Sequence, residues 1–197
     1  QLDEVETFGR YLDVDGDGVG YRTLPGTHPD KGAFFTRGTS RDEYAAYTES
    51  PEAYQRNMER LQLKWQTARQ LVPRADITGR GGSVGVLYYG TTALPIPEAL
   101  DKLAVNGIHL DTCRVRGFPF GDEVETFVAQ HDLIFVVEQN RDGQMRTLLI
   151  NELQTNPAKL IPILYFAGLS ISADFIDEQI SAYYEEHKLA RLTEVKS

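Results

Sequence analysis

The run Leu133, Ile134, Phe135, Val136 and Val137 constrains the fold more than any other stretch of this chain. Five apolar residues in succession, rich in β-branched and aromatic side chains, predict a strand buried on both faces. A polar cluster follows, Glu138 to Gly143, and then Met145, Leu148, Leu149 and Leu153 recur at helical spacing. The cluster therefore joins a buried strand to an amphipathic helix. In open α/β sheets the crevice beyond the carboxyl ends of the strands is where ligands and partners meet. That places Glu138, Asn140 and Gln144 at the end of the sheet where function concentrates.

The same alternation extends in both directions. Val84 to Tyr89, Ile108 to Val115 and Leu160 to Tyr165 also read as strands. Helices are expected over about 97–105, around Val124, Phe127 and Val128, after the polar cluster to Leu153, and over 174–187. Strands alternating with helices predict a three-layer α/β/α domain around a mainly parallel sheet, over residues 83–188. Gly90, Thr91 and Thr92 lie between a strand and a helix. They read as a turn with a cap, or as an anion site at a helix N-terminus.

The N-terminal 82 residues read as a connector. Leu2, Val5, Phe8 and Leu12 fit a short helical end. Asp13, Asp15, Asp17 and Gly18 match the opening of a calcium loop, but its twelfth position, normally a bidentate Glu, is Leu24. A polar turn and a metal site are both open readings here. Residues 19–49 are punctuated by proline and glycine, and so long a loop usually lies against a partner. Ser50 and Pro51 mark a helix start. Tyr54, Met58, Leu61, Trp65, Ala68 and Val72 then form an apolar seam, expected to pack on another helix or sheet face. The stretch Thr78 to Ser83, TGRGGS, reads as a flexible joint, and residues 189–197 as a tail.

Composition excludes several classes. A formal charge of −9 disfavours nucleic acid and anionic membranes, and no apolar run is long enough to span a bilayer. No signal or transit segment is evident, so a cytoplasmic location is expected. One cysteine, Cys113, permits no disulfide and no cysteine-built metal cluster within the chain. The four histidines have no metal-ligand spacing, and no serine has the context of a nucleophile elbow. The first residue is Gln1, and the chain reads as a piece of a longer polypeptide.

The residues VVEQNRDGQM, with Glu138, Asn140, Gly143 and Gln144, resemble the E-x-N-x-x-G-Q signature of the 2-oxoacid:ferredoxin oxidoreductases, in the C-terminal part of the α subunit. DVDGDGVGYRTLPGTHPDKGAFFTRGTSRDEYAAYTE is similar to the connector that precedes that part in the 2-oxoglutarate type. RLQLKWQTARQLVP, GIHLDTCRVRGFPFGDEVETF and LLINELQTNPAKLIPILYFAG extend the likeness over nearly the whole chain. Arg41 departs from it, standing where a His is expected.

The resemblance implies a transketolase C-terminal-like domain preceded by a linker. It also implies a parent enzyme that decarboxylates a 2-oxoacid, with the likeness leaning toward 2-oxoglutarate, on thiamine diphosphate with Mg2+, reduces ferredoxin through an iron–sulfur cluster and forms an acyl-CoA on coenzyme A. None of these cofactors is expected in this chain. It is expected to be inactive alone and to act as a scaffold, contacting the rest of the α subunit, the β subunit and a dimer mate. The expected contacts are Arg37, Asp42 and Glu43 in the linker and Gly90, Thr91, Arg116, Glu138, Asn140 and Gln144 on the strand-end rim. The alternative is a free-standing α/β interaction or anion-binding domain.

Overall fold

The computed structural model describes residues 2–33, 35 and 38–189. Arg37 and nearly all of the expected tail lie outside the described residues. Contacts divide the chain into two compact units, Gln1–Leu71 and Val72–Ser197.

The first unit is mostly loop. Leu2–Glu4 is a single 3-10 turn rather than the longer helical end that its apolar spacing predicts. An isolated bridge pairs Arg41 with Tyr47. Helix α1 spans Pro51–Leu71. Proline stands at its first position, and Ser50 Oγ accepts the N–H of Ala53 at 3.2 Å, as the capping residues predict. The face of α1 turned to the loops is polar: Arg60 donates to the Gly18 carbonyl at 2.8 Å and Thr67 to the Asp17 carbonyl at 2.6 Å. Gly18 comes so close to this helix that a Cβ would lie 2.2 Å from the Lys64 nitrogen. The seam reads differently from the expectation of core packing. Tyr54, Met58, Leu61 and Trp65 are between 37% and 49% exposed. Among the described residues, these hydrogen bonds to the loops come from the polar side of the helix.

The second unit is the expected α/β domain. Five strands, β1 (Asp76–Thr78), β2 (Val84–Tyr89), β3 (Asp111–Val115), β4 (Leu133–Glu138) and β5 (Leu160–Leu164), form one sheet in the order β1-β3-β2-β4-β5. The last four are parallel; β1 adds an antiparallel edge, Ile77 opposite Cys113. The unit therefore takes in residues from Val72, upstream of the joint at residues 78–83. At the far edge Pro162 of β5 stands opposite Val136 and faces solvent.

Helices α2 (Ile96–Val105) and α5 (Ala173–Glu186) cover one face, and α3 (Asp122–Gln130) and α4 (Gln144–Leu153) cover the other. The β4 run serves both cores. Phe135 and Val137 face Ile96, Leu103, Ile176 and Ile180; Ile134 and Val136 face Val124, Phe127 and Leu149. All four of these β4 side chains have no exposed area, as a two-sided strand requires. The chain steps from β2 outward to β3, then crosses back to β4 on the other side of β2. The reversal falls between β2 and β4, and the crevice it creates lies at their carboxyl ends.

Candidate functional site

Four loops meet at the carboxyl ends of the parallel strands: residues 90–95, 116–121, 139–143 and 165–172. The β4 loop is organised by its own side chains. Glu138, fully buried at the last position of β4, accepts the N–H of Met145 at 2.7 Å on Oε2 and that of Arg146 at 2.9 Å on Oε1. These are orphan donors of the first turn of α4, and a carboxylate there also meets the positive end of the helix dipole. Asn140 Nδ2 donates to Glu138 Oε2 at 2.8 Å and to the Tyr89 hydroxyl at 3.4 Å. Asn140 Oδ1 accepts the N–H groups of Asp142 and Gln144, at 3.1 and 3.3 Å. Gly143 has φ of +61°, the left-handed conformation glycine reaches without strain. The four residue types of the signature thus form one closed turn. Burial, then the Glu138 charge, raises the Tyr89 phenol above its ordinary value.

This corrects the placement of Glu138 on a contact surface: with no exposed area it faces its own helix. Asn140 is half-buried in the same turn. Gly90, Thr91, Arg116 and Gln144 are exposed on the rim. Arg116 is held by Asp76 at 3.0 Å. The residue that joins the loops is Gln139, which the sequence did not single out. Its Nε2 donates to the hydroxyls of Thr91 and Thr92, both at 3.1 Å, and its Oε1 accepts the Ile171 N–H at 3.4 Å. It links the loops after β2, β4 and β5.

A second carboxylate is enclosed at the opposite end of the sheet. Asp111, the first residue of β3, accepts the N–H groups of Arg80, Gly81 and Gly82 at 2.8, 3.1 and 2.9 Å. His131, buried behind it, bonds Asp111 at 3.3 Å through Nε2 and the Phe127 carbonyl at 2.7 Å through Nδ1. Burial alone would raise the Asp111 carboxyl; the N–H of Arg80, His131 and the N–H of Gly82 outweigh it and hold the group below its ordinary value. The TGRGGS stretch, expected to be a flexible joint, is therefore wrapped on a carboxylate. Its glycines let the backbone close in: a Cβ on Gly79 would lie 2.2 Å from the Asp111 side chain.

The remaining candidates separate. Asp42 Oδ1 accepts the N–H groups of Tyr44 and Ala46, both at 2.9 Å. Glu43 is paired with Arg56 at 2.6 Å, which holds its carboxyl below the ordinary range. The calcium-like loop forms a polar turn, one of the two readings open for it. Asp13 closes the turn on the N–H groups of Gly16 and Asp17, Asp15 accepts the Tyr21 hydroxyl, and Asp17 accepts the Val19 N–H. Their carboxylates serve separate bonds, and among the described residues no group of three His, Cys, Asp or Glu is arranged to hold a metal ion.

Of the cofactors implied by the resemblance, the iron–sulfur cluster does not fit this chain. An iron–sulfur cluster takes several thiolates. Cys113 is the only cysteine, fully buried, and its thiol is pushed up to about 12 by burial and then by the charge of Glu123. Gly90–Ala93 itself forms a 3-10 turn, and at the start of α2 Pro95 and Pro97 bring no N–H, which leaves those of Ile96 and Glu98. Among the described residues no helix is long and apolar enough to cross a membrane.

Comparison with known proteins returns the resemblance that the signature carries. No family model matches the chain. It is 30% identical over 154 residues to subunit alpha of 2-oxoacid:ferredoxin oxidoreductase 2 of Aeropyrum pernix, a match that takes in 75% of this chain and 23% of that subunit. The chain thus spans about a quarter of the length of this curated relative. The 2-oxoglutarate:ferredoxin oxidoreductase of Magnetococcus marinus, solved with 2-oxoglutarate, coenzyme A and succinyl-CoA bound, superposes with a TM-score of 0.76. That superposition covers 91% of this chain and 31% of the other, and at 22% identity it shows a shared fold.

Proposed function

We propose that this chain, related to one segment of the 2-oxoacid:ferredoxin oxidoreductase α subunits, is a non-catalytic scaffold of such an enzyme. Its strand-end rim and its linker would hold the cofactor-bearing parts in register. The parent would be thiamine-diphosphate-dependent, with Mg2+, an iron–sulfur cluster and coenzyme A, and 2-oxoglutarate as its substrate; those groups would sit on the rest of the α subunit and on the β subunit, with ferredoxin as acceptor. A cytoplasmic location accords with that assembly.

The observation that carries the scaffold reading is that two places suited to an anion, among the described residues, are filled from within. The nest of N–H groups at residues 80–82 holds the Asp111 carboxylate, and the N-terminus of α4 holds that of Glu138. A diphosphate or a coenzyme A phosphate would find these donors already engaged. The rim is left with side chains suited to packing: Leu94, Phe118, Phe166 and Leu169 are exposed there, 37% at the least.

The test is reconstitution. The chain alone is expected to show no 2-oxoacid-dependent reduction of ferredoxin or viologen dye. Joined with the other parts of its enzyme it should support turnover, and Gln139→Ala should weaken assembly. Turnover by the isolated chain, or an assembled enzyme equally active without it, would refute the reading. Binding of coenzyme A or phosphate by the isolated chain, measured by calorimetry, would favour the alternative of a ligand-binding domain.

A further inference from the structure

The chain has five asparagines, and Asn106 is the one followed by glycine. A glycine carries no side chain to shield its nitrogen, so an Asn–Gly pair is where a chain most readily attacks its own side-chain amide. Asn106 is exposed at the C-terminal end of α2, next to Val105 at 87% exposure. Water reaches it there.

The turn around Asn106 opposes that attack. The Gly107 N–H donates to the Ala104 carbonyl at 2.9 Å, and the Ile108 N–H to the Leu103 carbonyl at 3.0 Å. Gly107 has φ of +73°, and Leu103 and Ile108 are buried in the same core. This pair of bonds with its apolar clasp is a Schellman ending of the helix. The Asn106 side chain is drawn back along α2, its Nδ2 donating to the Lys102 carbonyl at 3.4 Å. Asn106 has ψ of +10°, which turns the Gly107 nitrogen away from the Asn106 side-chain carbon. Bringing the two into line takes roughly a third of a turn about ψ, and that rotation breaks both bonds of the ending.

We propose that Asn106 is a deamidation site guarded by the closing turn of α2, converting when that turn opens. In the open turn the Gly107 nitrogen loses its proton to solvent base and attacks the side-chain carbonyl carbon of Asn106. The new N–C bond closes a cyclic imide while the bond to the amide nitrogen breaks and ammonia leaves. Water then opens the ring. Opening at the side-chain carbonyl gives aspartate, and opening at the main-chain carbonyl gives isoaspartate; nothing is oxidised or reduced. Either product adds a negative charge at the negative end of α2, in a chain already at −9. Isoaspartate also lengthens the main chain inside the turn, so the bonds to Ala104 and Leu103 cannot both re-form.

Peptide mapping by mass spectrometry tests this on the full chain, held folded and in urea at about pH 8 and about 37 °C. In urea Asn106 should be the first asparagine to convert, with both aspartate and isoaspartate as products. The folded chain should convert it at least about tenfold more slowly. Ile108→Ala, which withdraws the apolar clasp, should at least about double the folded rate. Circular dichroism checks that this variant is folded; Ile108→Val, with the same expected direction, stands in if it is not. Another asparagine converting first in urea, a folded rate equal to the unfolded one, or a folded rate indifferent to the clasp variant would overturn the proposal.

Discussion

Glu138 Oε2 accepts the backbone N–H of Met145 at 2.7 Å across the turn from β4 to α4, with its side chain wholly buried. Removing the carboxylate strands two N–H groups and the Asn140 amide away from water. Glu138→Ala should cost about 3 kcal/mol in urea unfolding of the α/β unit. Glu138→Gln should cost about 2 kcal/mol, since its NH2 group must face a backbone donor. A change under about 0.5 kcal/mol would show that the turn is held otherwise.

Gly18→Ala should loosen the first unit. The substitution brings a Cβ within 2.2 Å of the Lys64 nitrogen at a residue with φ of +77°. Steric and conformational terms together should exceed about 2 kcal/mol. Limited proteolysis should cut within residues 10–25 much faster in the variant, while hydrogen exchange in β4 stays slow.

Asp111 makes stability depend on acid. Its folded value lies below the ordinary 3.8, so its contribution is fully present above the unfolded value and is lost as pH falls through the folded one. Denaturant titrations below about pH 4 should show the wild type losing stability faster than Asp111→Asn, which is the less stable protein at neutral pH. Parallel acid profiles would refute the assignment.

Cys113 runs the other way. A thiol raised from 9.0 to about 12 is stably held as the neutral form below pH 9, and its contribution declines as pH rises from there. Iodoacetamide at pH 8 should therefore leave the folded chain unmodified and react at once in denaturant. Fast alkylation of the folded chain would mean that the β3 core opens readily.

The second unit was legible because β4 is apolar on both faces and its neighbours alternate with helices. Strand β1 was not: three residues between Pro73 and a glycine-rich loop carry no periodicity, and only pairing with Asp111–Val115 makes them a strand. The same stretch concealed the Asp111 nest, since glycines that wrap a carboxylate look like glycines in a hinge. At the site, the signature was visible but its direction was not. Glu138 reads as a surface acid until the helix start six residues later is seen to need an acceptor. Gln139 falls at an unspecified position of the motif, and its bonds to Thr91 and Ile171 join segments far apart in sequence. The α1 seam gave the helix correctly, but Tyr54, Met58, Leu61 and Trp65 stay 37% to 49% exposed, because periodicity marks an apolar face without naming what covers it.

Pro162 has a consequence for how the molecule can recruit other proteins. A parallel sheet with a long open border invites another chain to zip on by main-chain bonding. Here one border ends in a proline that cannot donate, and the other is closed by a three-residue strand running the opposite way. Lateral growth into shared or fibrillar sheets is disfavoured at both sides, which leaves side chains at the strand ends and helices for association. A complex built that way can form and come apart without any strand leaving its place.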